Sequence, residues 1–148
     1  MAKKPTQSAM QRKQMTQKDY AALAAFRRAL RVFLSFSEAA ARKAGLPPQQ
    51  HQALLAIRGF GSNQGITVGD LAGHLLLKHH TAVGLVDRLV RAKLVVRTHD
   101  VGDRRRVLLT LTAKADKALT ALSATHLMEM RRHAPELVEL IRRFSASR

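Results

Sequence analysis

Two aspartates and three consecutive arginines occur together in the segment VVRTHDVGDRRRVLLTLT, residues 95–112. Guanidinium groups bind phosphates and carboxylates through paired, charge-assisted hydrogen bonds, so the arginines predict an anion-binding loop. The apolar runs on either side contain β-branched residues and predict two strands that pair as a hairpin. We expect the tip of this hairpin to contact an anionic partner. The residues concerned are Asp100, Asp103, Arg104, Arg105 and Arg106.

The charge of the whole chain supports this expectation. In 148 residues there are 26 Lys and Arg but only 10 Asp and Glu, which gives a net charge of +16. Such an excess repels itself and is typical of proteins that bind nucleic acid or an anionic membrane surface. No apolar run approaches the roughly 20 residues that span a bilayer. The N-terminus has no apolar signal core, so we expect a cytoplasmic, nucleoid-associated protein with no membrane partner.

Residue types that are rare or absent narrow the class further. The chain has one Tyr, five Phe and no Trp, whereas proteins that bind single strands or RNA depend on exposed aromatic platforms. Duplex DNA is therefore the favoured partner. The absence of Cys excludes disulfides and thiolate metal sites. No nucleophile elbow or phosphate-binding glycine loop is present, so we expect no enzymatic activity, no catalytic residue and no cofactor.

Hydrophobic spacing predicts a mostly α-helical fold with one small β-hairpin. After a flexible basic arm, a long helix runs to Gly45, and Pro47 and Pro48 begin a second helix. Thr67 and Asp70 resemble a capping box that opens a third helix, and a fourth helix follows it after a short turn. Two helices in this arrangement predict a helix-turn-helix. The segments are 1–17 for the arm, 20–43, 47–61, 67–77 and 78–93 for the four helices, and 94–97 and 106–111 for the strands.

The fourth predicted helix separates its apolar and polar residues. Ala82, Val86 and Leu89 recur at helical spacing, with Leu85 beside them, and predict the buried face. The polar residues fall largely elsewhere, and the first turn of such a helix is where helix-turn-helix proteins contact base edges. The remaining polar or small positions are Lys78, His79, His80, Thr81, Gly84 and Arg88.

Two further helices are predicted after the hairpin. Thr112 caps the first, residues 113–132, and Pro135 begins the second, residues 135–144. Together with the first helix they carry an apolar stripe that would be exposed on a monomer, and a homodimer interface would bury it. Packing within the chain is the alternative. The stripe residues assigned to this interface are Leu23, Phe26, Leu30, Leu137, Leu140, Ile141 and Phe144.

Four successive segments carry a family resemblance: LPPQQHQALLAI, TVGDLAGHL, HHTAVGLVDRLVRAKLV and DVGDRRRVLLTLT. In this order they resemble the MarR family of bacterial transcriptional regulators, over about residues 20–145. The resemblance implies a winged helix-turn-helix core at about 47–112, flanked by dimerisation helices at about 18–45 and 113–148 within a single domain, 18–148. It also implies a homodimer, and we expect this homodimer to act as a repressor on a palindromic operator. Many such proteins release DNA when a small, often aromatic acid binds.

The resemblance also gives roles to individual residues. The fourth helix would enter the major groove with the polar residues named above, and the hairpin, or wing, would place arginine in the minor groove, whose negative potential favours it. Where the family often has Arg directly before the second Asp of the wing, this chain has Gly102, so any one of the three consecutive arginines is a candidate for the deepest contact. Asp100 and Asp103 would brace Arg105 or Arg97. The helix N-terminus at Thr67 would bind a phosphate. The wing contacts are assigned to Arg97, Arg104, Arg105 and Arg106.

Two alternatives remain at the level of sequence. An architectural, nucleoid-coating protein would use the high positive charge with little sequence preference. A metal-dependent sensor would need ligands such as His74, His79 and His80, but the spacing of these histidines is poor for one helical face and no nearby residue completes a set.

Overall fold

The order of elements agrees with the winged helix-turn-helix predicted from the sequence. The computed structural model describes residues 15–145, and most of the predicted basic arm lies outside them. The described part is mostly helical with one antiparallel hairpin, which confirms the predicted fold class. Its elements are α1 (Gln17–Lys43), α2 (Pro48–Gly61), α3 (Val68–Leu75), α4 (His79–Arg91), β1 (Val95–His99), β2 (Val107–Leu111) and α5 (Ala113–Ser145).

The first helix begins earlier than its apolar spacing predicts. Thr16 is the N-cap, and its side-chain oxygen accepts a hydrogen bond from the backbone N–H of Asp19. The Asp19 carboxylate in turn accepts from the backbone N–H of Thr16 at 2.8 Å. This reciprocal capping box satisfies donors that a helix start leaves free, so α1 starts at Gln17 rather than at Tyr20.

A single apolar core lies under the helix-turn-helix. Its largest fully buried side chains come from α2, α3, α4 and the hairpin, and α5 adds Ala115, Leu119 and Leu122. The turn between α3 and α4 passes through Leu76, which adopts a left-handed conformation at φ 55° and is exposed. The largest fully buried side chains of the core are Leu54, Ile57, Leu71, Leu85, Val86, Leu89, Val95 and Leu109.

Besides the pairing of its two strands, the hairpin makes a short backbone contact with the segment that precedes α3. Strand β1 pairs antiparallel with β2 from Val95↔Leu111 to His99↔Val107, which leaves residues 100–106 as the loop. Ile66, predicted as part of a loop, forms an isolated bridge with Leu109. Gly65 precedes it at φ +90°, and a Cβ there would lie 2.4 Å from the carbonyl oxygen of Leu109. Only glycine fits this approach.

The C-terminal region is one helix of 33 residues, not the two predicted. Pro135 lies inside α5, where its missing N–H leaves the carbonyl of Arg131 without its usual helical partner. Both residues are exposed, and the helix continues through this position. The side chain of Thr112 accepts from the N–H of Ala115 at 3.2 Å, as predicted for the cap of this helix.

Helices α1 and α5 pack against each other beyond the helix-turn-helix core. The rings of Phe26 and Phe144 meet edge to face with centroids 5.8 Å apart. Nearer the core, Phe36 packs against the imidazole of His126. No helix within residues 15–145 is long and apolar enough to cross a membrane.

Candidate DNA-binding surface

The exposed face of α4 is polar, as its spacing predicts. Ala82, Leu85, Val86 and Leu89 are buried, which confirms the predicted apolar face. Lys78 is the N-cap residue, but its side chain makes no capping hydrogen bond, so the first backbone N–H groups of α4 have no side-chain partner there. Of the remaining candidates, His79, His80 and Arg88 are exposed and Thr81 and Gly84 are half-exposed.

Gly84 has no side chain and therefore leaves a flat area in the middle of the polar face of α4. A Cβ placed on it would contact only one atom, a guanidinium nitrogen of Arg88, at 3.7 Å. No other helix of the described chain packs on Gly84, so close helix packing does not explain a glycine here. Arg88 lies one turn further along α4 and forms no ion pair with the described residues. Neither Asp87 nor an acid of another helix neutralises it.

The start of α3 is a closed capping box. The side-chain oxygen of Thr67 accepts from the N–H of Asp70 at 3.1 Å, and the Asp70 carboxylate accepts from the N–H of Thr67 at 3.0 Å. The hydrogen bonds to Thr67 lower the pKa of the Asp70 carboxyl group, and the positive charge of Arg106 lowers it further. The capping role predicted for Thr67 is therefore present, and Asp70 stays ionised near neutral pH.

A β-turn forms the tip of the wing. The backbone N–H of Arg106 donates to the carbonyl of Asp103 at 2.9 Å, and the N–H of Arg105 donates to the Asp103 carboxylate at 3.0 Å. An aspartate in this position stabilises the turn that follows it. Asp100 has the corresponding role at the start of the loop, where its carboxylate accepts a hydrogen bond from the N–H of Gly102 at 3.0 Å.

The two aspartates do brace the wing, but their partners differ from those predicted. The Asp100 carboxylate pairs with the guanidinium of Arg106 at 3.5 Å. Asp103 holds the main chain of Arg105 rather than its guanidinium. The guanidinium groups of Arg104 and Arg105 make no ion pair with any residue that the structure describes, and both side chains are exposed. They are therefore available to an external anion.

Arg97 is directed away from both wing aspartates. Its guanidinium forms an ion pair with the carboxylate of Asp87 on α4. The predicted bracing of Arg97 by Asp100 or Asp103 is therefore wrong, because Asp87 in the adjacent helix is the acid within reach. The pair connects the base of the wing to the helix that carries the polar face.

Two histidines meet where α2 approaches α1 and α5. The rings of His51 and His126 have centroids 4.9 Å apart, and the Nε2 of His126 lies 2.7 Å from the hydroxyl of Ser37 on α1. Burial lowers the pKa of His51, and the charge of His126 lowers it further. Sequence spacing gave no sign of this contact, since the two histidines lie 75 positions apart.

The histidines considered as metal ligands do not form a site. Among residues 15–145, no three His, Asp or Glu side chains come together as metal ligands would. His74 instead stacks on the exposed ring of Phe60, with centroids 3.7 Å apart and planes at 5°. His133 bonds to the carboxylate of Glu129 at 2.8 Å.

The predicted dimer residues divide into two groups. Leu140 is buried, Leu137 and Phe26 are half-buried, and Phe144 packs on Phe26, so these four contact their own chain. Leu23, Leu30 and Ile141 are exposed at 45, 43 and 52 %. A cleft of about 460 Å³ opens between α1 and α5, and its walls include Leu30, Phe33, Met130 and Leu137.

A helix-turn-helix with a basic wing and two long additional helices defines a class of DNA-binding regulators. The segment 44–106 matches the model of the MarR family. It contains α2, α3, α4 and the wing loop. MarR-family regulators are not enzymes, which agrees with the expectation from sequence. No curated protein sequence matches the chain.

Solved structures extend the similarity beyond the matched segment. CouR from Rhodococcus jostii, bound to p-coumaroyl-CoA, has 25% sequence identity and a TM-score of 0.66, and the alignment covers 81% of this chain and 85% of CouR. AbsC, a MarR-family regulator from Streptomyces coelicolor, has 20% identity and a TM-score of 0.69, with 83 and 82% covered. MepR from Staphylococcus aureus has 19% identity and a TM-score of 0.70, with 90 and 100% covered. The chain therefore has the fold of MarR-family transcriptional regulators.

Proposed function

We propose that this protein is a homodimeric, sequence-specific repressor that binds a palindromic site on duplex DNA. The polar face of α4 lies in the major groove, with base edges read by Lys78, His79, His80 and Thr81. Gly84 allows α4 to approach the groove closely, and Arg88 binds a phosphate. The N-terminus of α3 at Thr67 contacts a second phosphate.

The observation that carries this proposal is the exposure of Arg104 and Arg105 on the braced turn at the tip of the wing. A guanidinium without a carboxylate partner is available to the negative minor groove, and a turn held by Asp100 and Asp103 loses less entropy when it is fixed there. Arg97 supports the wing through its ion pair with Asp87 on α4. A mutant of MepR from S. aureus, 21% identical with a TM-score of 0.61, has been solved bound to an oligodeoxyribonucleotide.

Dimerisation is supported by the exposed apolar side chains of α1 and α5. Leu23, Leu30 and Ile141 would remain in water on a monomer, and the cleft between the two helices would be open. In this proposal a second copy of the chain covers the exposed side chains and the cleft. The two-fold axis of the dimer places the two α4 helices about 34–36 Å apart, one turn of DNA. Such a dimer requires an inverted repeat in the DNA.

The proposed regulator responds to a small-molecule effector that is aromatic or anionic, as predicted from the sequence. CouR was solved with p-coumaroyl-CoA, which is both aromatic and anionic, and it shares 25% of its sequence with this chain. A chromosomal target also requires the cytoplasmic location predicted from the sequence.

Selection of bound fragments from random duplex DNA, at about 150 mM salt where nonspecific binding is weakened, tests the proposal. We expect enrichment of an inverted repeat with half-sites about one helical turn apart. A single enriched half-site would contradict the dimer, while tight binding without enrichment would contradict sequence reading.

The net charge of +16 favours a second candidate, a nucleoid-coating protein with little sequence preference. The double variant His79→Ala/Thr81→Ala separates the two functions. A sequence-reading regulator loses its preference for the enriched site and keeps its nonspecific affinity, because the phosphate contacts remain. A coating protein has no such preference to lose.

A further inference from the structure

The three consecutive wing arginines are held by different sets of contacts. Arg106 is held through its side chain by Asp100, and Arg105 is held through its backbone N–H by Asp103. In the described structure, neither aspartate side chain forms a hydrogen bond or an ion pair with Arg104. Its carbonyl oxygen instead lies 2.9 Å from the Nδ1 of His99, the last residue of β1.

The chemistry of this contact fixes which ring nitrogen carries hydrogen. A carbonyl oxygen only accepts hydrogen bonds, so Nδ1 of His99 is the donor. Both the neutral Nδ1–H tautomer and the imidazolium donate in this way, and only the Nε2–H tautomer cannot. The contact therefore persists whether or not the imidazole is charged.

The position of His99 suits it to hold the tip of the wing. Its register partner across the hairpin is Val107, so its backbone belongs to the last rung of the sheet. Arg104 is the second residue of the β-turn that begins at Asp103, and the peptide after it is the one that a β-turn can flip most readily. A hydrogen bond to the carbonyl of Arg104 opposes that flip.

We propose that His99 is a positioning residue for DNA binding, because it fixes the peptide of Arg104 so that the arginine side chain is presented to the minor groove. This inference rests on the proposed function, in which the wing contacts DNA. No property of the sequence pattern assigned a role to His99, which lies outside the aspartate and arginine cluster.

Two substitutions at position 99 separate the hydrogen bond from the volume of the ring. In His99→Asn the side-chain amide nitrogen is as many bonds from Cα as Nδ1 is, and it can donate to the same carbonyl. His99→Leu has a similar size but no donor. Thr98→Val is the matched control on the neighbouring exposed position, since the Thr98 side chain makes no hydrogen bond with the described residues.

The measurements are the affinity for the selected DNA site and the hydrogen exchange of residues 100–106 in the free protein. We expect His99→Leu to bind about 3- to 10-fold more weakly, the effect of one hydrogen bond, and to exchange faster in the wing. His99→Asn should restore the DNA affinity and the slow exchange of the wing, and Thr98→Val should change neither quantity. In the background of Arg104→Ala, His99→Leu causes no further loss of affinity, because the side chain that it positions is gone.

The failures of the inference and of the proposed function are distinguishable. If Arg104→Ala weakens binding while His99→Leu binds as the unmodified protein does, the wing contacts DNA and His99 does not position it. Equal losses in His99→Leu with and without the arginine would also overturn the inference. If Arg104→Ala itself has no effect on affinity, the role of this arginine in the proposed function is wrong, and the inference fails with it.

Discussion

Arg97 on β1 and Asp87 on α4 form an ion pair that connects the wing to the fourth helix. The two elements that we propose to contact adjacent grooves are thus joined by side chains as well as by the chain turn between them. Their side chains are 38 and 46 % exposed, so solvent screening limits the pair to at most about 1 kcal/mol of stability. Its consequence for DNA binding lies in the relative orientation of the two elements.

Breaking this pair should affect DNA binding more than stability. We expect Asp87→Asn to change the free energy of unfolding by less than about 1 kcal/mol while weakening DNA binding several-fold, as measured by urea unfolding and fluorescence anisotropy. Asp116→Asn is the matched control, because it removes the same charge and breaks a similarly exposed pair with Arg58 on another face. Equal effects of the two substitutions on DNA affinity would contradict an orienting role for Asp87.

Gly84 offers a test in which stability and binding change in opposite directions. Alanine is favoured over glycine in a helix by about 1 kcal/mol, and a Cβ here contacts only the flexible end of Arg88. We expect Gly84→Ala to raise the unfolding midpoint and to weaken DNA binding, because the methyl group separates α4 from the groove. In α2, a Cβ on Gly59 contacts nothing within 4 Å, so Gly59→Ala should raise the unfolding midpoint without weakening DNA binding. Unchanged affinity in Gly84→Ala would exclude close approach at this point.

The wing arginines should determine part of the salt dependence of binding. Each phosphate contact contributes about 0.9 to the slope of log affinity against log salt. We expect the triple variant with Arg104, Arg105 and Arg106 changed to Ala to bind more weakly and with a slope flatter by up to about 3, measured by titration at several salt concentrations.

A control for total charge is available in α5. Arg131, Arg132 and Arg142 form no ion pairs with the described residues, and their triple Ala variant removes the same charge. The double variant Arg104→Ala/Arg105→Ala leaves the Asp100–Arg106 pair intact. An unchanged slope in both wing variants would contradict contact between the wing and DNA.

The buried histidine predicts a loss of stability at acid pH. Because the pKa of His51 is lowered in the folded state, the unfolded chain binds its proton first as the pH falls. The contribution is fully present above about pH 6.5, the unfolded pKa, and declines below it until the folded pKa is reached. We expect the urea midpoint to fall between about pH 7.5 and 5.5, on either side of that unfolded pKa, and His51→Gln to show a smaller fall. His80→Gln on the exposed face of α4 should retain the full dependence.

Polar substitutions on the exposed apolar side chains of α1 and α5 test the dimer. We expect Leu30→Glu and Ile141→Glu to give folded monomers in sedimentation experiments, because each places a charge in the proposed interface. Leu55→Glu alters a side chain of similar exposure, 49 %, on α2 and should leave the dimer intact. A dimer that survives both changes would place the interface elsewhere.

The sequence predicted those features that depend on periodicity and on local pattern. The buried face of α4, the cap at Thr67 and the wing follow from apolar spacing and short polar motifs. The same capping pattern occurs at Thr16 and Asp19, so the true start of α1 was available from the sequence. Pro135 was misleading because an exposed proline removes one hydrogen bond whose acceptor water can satisfy.

Contacts between distant side chains could not be predicted in the same way. Asp87 is ten positions from Arg97, and the choice among several acids depends on how α4 lies against β1. The meeting of His51 with His126 requires the packing of three helices. Even within the wing, the bond from His99 to Arg104 depends on the turn geometry at Asp103, which residue types alone do not determine.

The continuity of α5 has a mechanical consequence. The helix begins one residue after β2, where the hydroxyl of Thr112 also donates to the carbonyl of Lys93, and it extends to Ser145 without a joint. A rod of 33 residues is about 50 Å long, so a tilt of about 5° at one end displaces the other by about 4 Å. Because α5 is continuous, a small rotation among the terminal helices would shift the base of the wing and change the reach of its arginines.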